Sequence, residues 1–177
     1  MVGDLLGHFP CKLLIATSNW LKMNHSATAN EIIEVTQEEL SRASLQKTPQ
    51  EVLAVFVQPS YDLNPEVIKS SLCLALDDVQ DPGNLGTIIR LADWFGIEHI
   101  FCSTGTADVY NPKTVQATMG ALARVKVHYC SLPQLIESLT DIPVYGTFLN
   151  GNIIYAESLS AHGLIVMGNE GKGVSLK

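Results

Sequence analysis

Short apolar runs alternate along this chain with segments whose apolar residues recur at helical spacing, a pattern that predicts strands and helices taken in turn. Lys12 to Thr17 (KLLIAT) reads as a strand, and Ser18 then offers a cap for a short helix carrying Trp20 and Leu21. Glu31 to Val35 reads as a second strand. Thr36, with Glu39 three residues on, is a capping-box pattern for a helix through Ala43. Glu51 to Gln58 (EVLAVFVQ) is rich in β-branched residues and stops at Pro59, so it reads as a strand closing a small α/β unit. Asn64, Pro65 and paired serines mark Pro59 to Ser71 as a linker, and the domain boundary is expected there.

The remainder repeats the alternation: strand Leu72 to Leu76, helix from about Leu85 to Phe95, strand His99 to Cys102. Leu85, Ile88, Ile89, Ala92 and Phe95 give that helix one apolar face, and Gly96 ends it. Pro112 to Leu122 reads as a helix and Lys126 to Tyr129 as a strand. Ser131 with Gln134 predicts a capped helix through Leu139, and Val144 to Leu149 and Leu164 to Met167 complete the strands. Strands alternating with helices imply a parallel sheet. The fold class expected is therefore α/β, with residues 1–60 and 72–177 as separate domains.

Composition narrows the function classes. Of the 177 residues, 46% are apolar, enough for a real core. No apolar run approaches the roughly 20 residues that span a bilayer, and Met1 is followed by Gly3, Asp4 and His8 rather than a signal-peptide pattern, so no membrane association and a cytoplasmic location are expected. Cys11, Cys73, Cys102 and Cys130 are widely spaced with no CxxC, which disfavours zinc and suits buried, reduced thiols. A net charge of −7 argues against holding nucleic acid by bulk electrostatics, although it hides local patches.

Two stretches at predicted strand ends could carry chemistry. Asp77 to Gly86 (DDVQDPGNLG) lies between a strand and a helix, where open α/β sheets bind ligands. Its three acids suggest either a magnesium site or helix capping, and capping is favoured. Pro82, Gly83 and Asn84 are turn formers, so Asn84 by itself reads as a helix cap, and Arg90 by itself as a solvated side chain. Gly168 to Gly173 (GNEGKG) follows the apolar run LIVM, and its glycines would let backbone approach a ligand closely. It is not a phosphate-binding Walker loop, because Val174 stands where Lys and Ser or Thr are needed, and a third glycine for the dinucleotide pattern is missing. No nucleophile elbow GxSxG is present. His8, His25, His99, His128 and His162 form no pair at metal or relay spacing.

Leu76 to Arg90 (LDDVQDPGNLGTIIR), with the following helix and the strand HIFCS, closely resembles the first signature of SpoU (TrmH-like) RNA ribose 2'-O-methyltransferases, and LIVMGNEGKG resembles the second. Asn111-Pro112-Lys113 and Gly120-Ala121 resemble the pattern between them. The resemblance covers residues 72–177; residues 1–58 more loosely resemble the small L30e-like RNA-recognition domain that often precedes it. It implies a trefoil-knotted SPOUT sheet, S-adenosyl-L-methionine as methyl donor, a homodimer, no metal, and a ribose 2'-hydroxyl of rRNA or tRNA as substrate. It assigns catalysis to Arg90, Asn84 and Glu170, and cofactor contacts to Thr147, Leu149, Gly168, Asn169 and Gly173. Guanidinium is a poor base, so Arg90 is expected to stabilise the developing alkoxide or grip a phosphate.

The family pattern continues to a third signature, and this sequence stops at Lys177 before it. The expectation is a fragment of a longer protein. Two rivals stand beside the methyltransferase reading: a catalytically inactive RNA-binding dimer of the same fold, and an unrelated small-molecule α/β enzyme.

Overall fold

The structure is a computed structural model that describes residues 1–175. The chain divides into two compact units, Met1–Ser60 and a second beginning at Tyr61. In the first, β1 (Cys11–Ala16) lies between β2 (Glu31–Glu34), parallel to it, and β3 (Val52–Phe56), antiparallel to it. Three short helices accompany the sheet: α1 (Val2–Leu5), α2 (Ser18–Met23) and α3 (Gln37–Ala43). The Thr36–Glu39 capping box forms as the spacing predicts, and Leu40 is the one residue of α3 that is fully buried. α2 begins one residue earlier than expected at its cap: the Thr17 hydroxyl, not Ser18, accepts the Trp20 N–H.

The second unit is built on a five-stranded, wholly parallel sheet of β4 (Leu72–Leu76), β5 (His99–Cys102), β6 (Lys126–Tyr129), β7 (Val144–Gly146) and β8 (Gly163–Met167), ordered β6-β5-β4-β8-β7. Helices α4 (Pro82–Trp94), α5 (Pro112–Thr118) and α6 (Leu132–Ser138) fill the connections. The central strands are apolar on both faces, as a sheet covered on both sides requires: Cys73, Ala75, Ile100, Phe101 and Leu164 are all fully buried. Gly86 lets α4 and α5 meet, since a Cβ there would lie 2.5 Å from the Ala117 Cβ and 2.6 Å from the Thr114 carbonyl oxygen.

Several expectations need correcting. The stretch expected to be a linker contains a 3₁₀ turn, Pro65–Lys69, whose Ile68 is wholly buried in the core with Cys73, Phe101 and Leu164. α4 starts at Pro82 rather than near Leu85, because proline at a first helical position loses no hydrogen bond and has the right φ. The helix expected over Pro112 to Leu122 breaks at Met119, which adopts φ 52°, and resumes as a 3₁₀ turn at Ala121–Ala123. Ser131 precedes α6 without a side-chain capping bond. β7 is only three residues long, ending before Thr147. Among the described residues no helix is long and apolar enough to cross a membrane.

Candidate active site at the β4 and β8 strand ends

From β4 the chain builds outward through β5 and β6, then returns to the other flank through β7 and β8. The direction of building reverses between β4 and β8, so their carboxyl ends form the topological switch point at which open α/β sheets take ligands. The two loops that leave these ends are the two stretches singled out in the sequence.

In the β4 loop the three acids have three separate tasks. Asp77 is buried; its N–H continues the β4–β8 pairing to the Met167 carbonyl at 2.8 Å, and its carboxylate accepts the Ser175 N–H at 2.6 Å. Asp78 sits in the left-handed region at φ 59°, donates its N–H to Ser103 Oγ, and turns its carboxylate to Gln80 and, at 3.9 Å, to the Lys172 ammonium. Asp81 caps α4 by accepting the Asn84 N–H at 2.9 Å. Lys113, reaching over from α5, donates to Asp81 at 2.8 Å, and this bond with the capping one holds the Asp81 carboxyl below its usual range. Asn84 is therefore not the cap. It is the third helical residue, and its side-chain amide donates to the Glu170 carboxylate of the other loop, 86 residues away in sequence.

The β8 loop folds tightly on itself. A Cβ at Gly168 would lie 2.1–2.3 Å from backbone atoms of Gly173 and Val174, so the close approach expected there is made by the chain's own return rather than by a ligand. Asn169 and Gly173 exchange both backbone hydrogen bonds, at 3.0 and 2.8 Å. The Asn169 amide oxygen accepts the N–H groups of Gly171 and Lys172, and its nitrogen donates to the Asp78 carbonyl at 2.8 Å.

The structure thus brings Asn84 and Glu170 together and clamps the loops that carry them. Arg90 lies nearly two turns further along α4 on an exposed position, and its side chain makes no ion pair or hydrogen bond among the described residues. Lys69, Lys113, Arg124 and Lys172 of the same unit are each ion-paired. Thr147 follows β7 instead of lying on it, with both its N–H and its hydroxyl directed to the Val166 carbonyl. Leu149 is fully exposed, and among the described residues the backbone N–H and C=O of Leu149 and Asn150 have no partner.

Sequence reasoning missed the roles of Asp77, Asp78 and Lys113, whose signal was visible only as loop acids and a basic residue after Asn111-Pro112. It also separated the histidines wrongly. His99 and His128 stack at 5.4 Å with ring nitrogens 3.1 Å apart, because β5 and β6 are neighbours and put the two rings on one face. Burial, foremost, pushes both imidazoles below their usual pKa. Among the described residues no three His, Cys, Asp or Glu side chains converge as a metal site.

Comparison with known proteins supplies the context. Residues 71–177 match the model of the SpoU rRNA methylase family. A Bacillus subtilis 23S rRNA (guanosine(2553)-2'-O)-methyltransferase, RlmP, is 34% identical over 143 residues, covering 79% of this chain. The chain spans little more than half, 56%, of that relative's length. A TrmH-family structure from Porphyromonas gingivalis superposes with a TM-score of 0.83 at 40% identity, over 99% of this chain and 71% of its own. The SpoU methyltransferase AviRb of Streptomyces viridochromogenes, solved in complex with the cofactor AdoMet, superposes at 0.82 with 26% identity, over 99% of this chain and 72% of its own.

Proposed function

Since the chain belongs to the SpoU rRNA methylase family, we propose that the protein transfers a methyl group from S-adenosyl-L-methionine to a ribose 2'-hydroxyl of ribosomal or transfer RNA. The observation that carries this reading is the Asn84–Glu170 hydrogen bond at the β4/β8 switch point, made between the two family signatures. An inactive scaffold of the same fold has no use for such a pair, nor for the exposed, unpaired Arg90 further along α4.

In this reading the cofactor takes the β7–β8 side of the strand ends. Thr147 turns the chain off the sheet, and the unpartnered backbone groups of Leu149 and Asn150 offer donors and acceptors of the kind an adenosine needs. Gly168, Asn169 and Gly173 hold the β8 loop in shape from within. When bound, the cofactor supplies an electrophilic sulfonium methyl. The chain's own residues must then orient a weakly acidic hydroxyl and stabilise the charge that develops as its proton leaves. Arg90 has the free, permanently charged guanidinium for that charge or for a flanking phosphate. The carboxylate of Glu170 fixes the Asn84 amide, which leaves the rest of Asn84 to position the sugar.

Three further parts of the proposal rest on other features. Leu91, Trp94 and Phe95 leave the carboxyl half of α4 exposed and apolar, at 49%, 84% and 74%, which suits burial against a second copy in a homodimer. The first unit is the RNA-recognition module, in keeping with solved relatives that span it. Four unbridged cysteines fit a reducing, cytoplasmic compartment.

Methyl transfer from labelled S-adenosyl-L-methionine to RNA tests the reading, with the ribose product identified after nuclease digestion. Arg90→Ala and Glu170→Ala are each expected to lower the rate on the order of 100-fold. No cofactor binding by calorimetry and no transfer, from the folded full-length protein, would overturn it.

A further inference from the structure

Asn169 has every polar group committed inside the protein, which is unusual for an exposed loop beside a crevice. Its amide oxygen holds the N–H groups of Gly171 at 2.9 Å and Lys172 at 3.1 Å, fixing the turn that contains Glu170. Its backbone pairs with Gly173 in both directions. Its amide nitrogen alone leaves the loop, crossing to the Asp78 carbonyl at 2.8 Å. That carbonyl is aimed by a left-handed residue, φ 59°, whose N–H is tied to Ser103. Glu170 follows directly, is exposed, and has only Asn84 as a bonding partner among the described residues. A long, exposed side chain with one bond is positioned mainly by its backbone, and the backbone on its amino side is held to the β4 loop by the Asn169 amide.

We propose that Asn169 is a positioning residue: its side-chain amide clamps the β8 loop to the Asp78 carbonyl and so sets the Glu170 carboxylate against Asn84. The use of Glu170 in methyl transfer rests on the proposed function, whereas the clamp does not. Two jobs of Asn169 can be separated chemically. Aspartate keeps the oxygen that accepts from Gly171 and Lys172 but has no N–H for Asp78. A residue that only shaped the turn would tolerate Asn169→Asp.

The test is the side-chain amide NMR signal of Asn84 in the 177-residue chain without ligand, compared among wild type, Glu170→Ala and Asn169→Asp. The expected result is that Asn169→Asp moves the Asn84 amide protons to the position they take in Glu170→Ala. Where activity is measurable, kcat is expected to fall about tenfold or more, with KM for RNA changed less than about threefold, as a misplaced group rather than a lost RNA contact requires. Asn169→Ser serves as the neutral second variant, able to accept from Gly171 but too short to reach Asp78, and the same shift is expected of it. Wild-type Asn84 signals in both Asn169 variants would overturn the clamp, as would signals that Glu170→Ala leaves unmoved. If the chain proved to methylate nothing, the amide signals would still decide the clamp; if transfer proceeded normally in Asn169→Asp, the clamp alone would fall.

Discussion

Each unit ends parallel strands in loops, and the two sets of loops are tied together to different degrees. In the first unit a hollow of about 630 Å³ lies at the ends of β1 and β2, lined by Glu34, Glu39, Glu51 and the starts of α2 and α3. Its polar groups serve mainly as caps: Thr36 and Glu39 cap α3, and a single carboxylate, Glu51 from the segment before β3, accepts from Thr17 and Asn19. In the second unit the loops are joined to each other by Asn84–Glu170, Asn169–Asp78, Lys172–Asp78 and Ser175–Asp77. A crevice at strand ends is a general by-product of parallel topology. Four links that join two distant loops, against one shared carboxylate in the first unit, distinguish a preorganised site from a space between caps.

The supporting sheets differ in the same sense. β2 is exposed along its whole length, with Ile32 at 45% and Ile33 at 38%, whereas β4 is buried from Cys73 to Leu76. One tryptophan in each unit, Trp20 in α2 and Trp94 in α4, allows urea unfolding of each to be followed by fluorescence in single-tryptophan variants. Ile68→Ala is expected to destabilise the second unit by about 2–5 kcal/mol, and Ile32→Ala the first by no more than about half as much. Equal losses would remove the contrast. Gly168→Ala comes next: the added methyl collides with the Gly173–Val174 backbone, so cofactor affinity is expected to fall on the order of 100-fold, about 2.7 kcal/mol, read by calorimetry. Unchanged affinity would show that the loop's self-packing does not build the site.

The smaller effects sharpen the comparison. Thr36→Ala removes a cap with no cross-unit duty and should cost about 1 kcal/mol in the Trp20 signal alone. The His99–His128 pair gives the smallest effect. Both imidazoles titrate below 6.5 in the fold, so the unfolded chain binds more protons just under that pH. Their contribution is therefore present above pH 6.5 and lost as pH falls through the folded values. The urea midpoint of the Trp94 signal should drop between pH 7.5 and 5.5, and His99→Gln with His128→Gln should flatten that drop.

Strands were legible in the sequence where burial was strong: β4 and β5 have the bounds that their apolar runs suggest. Legibility failed where a local signal had two physical meanings. Pro82-Gly83-Asn84 reads as a turn, yet Asp81 and Lys113 make it the first turn of α4. Gly168 reads as room for a ligand, yet the chain itself fills that room. Family resemblance singled out Asn84 and Glu170 as site residues, but their bond to each other came only with the fold, because no periodicity links residues 86 positions apart. Asn169 as a clamp, and the histidine stack, depend on which strands become neighbours, and spacing along the chain does not encode that directly.

The insertion of β8 between β4 and β7 has a kinetic consequence. Asp78 and Asn169 are 91 positions apart and meet only after the chain between them, including β5, β6 and β7, has been made. Closing so long a segment is costly in entropy and is compensated only by the last strand's own pairing, so the crevice is among the final contacts to form. A ligand that bridges the two loops then binds the finished sheet and none of its precursors. Its binding energy should therefore slow unfolding of the whole second unit, by mass action on that late-closing state, rather than merely quieten two loops.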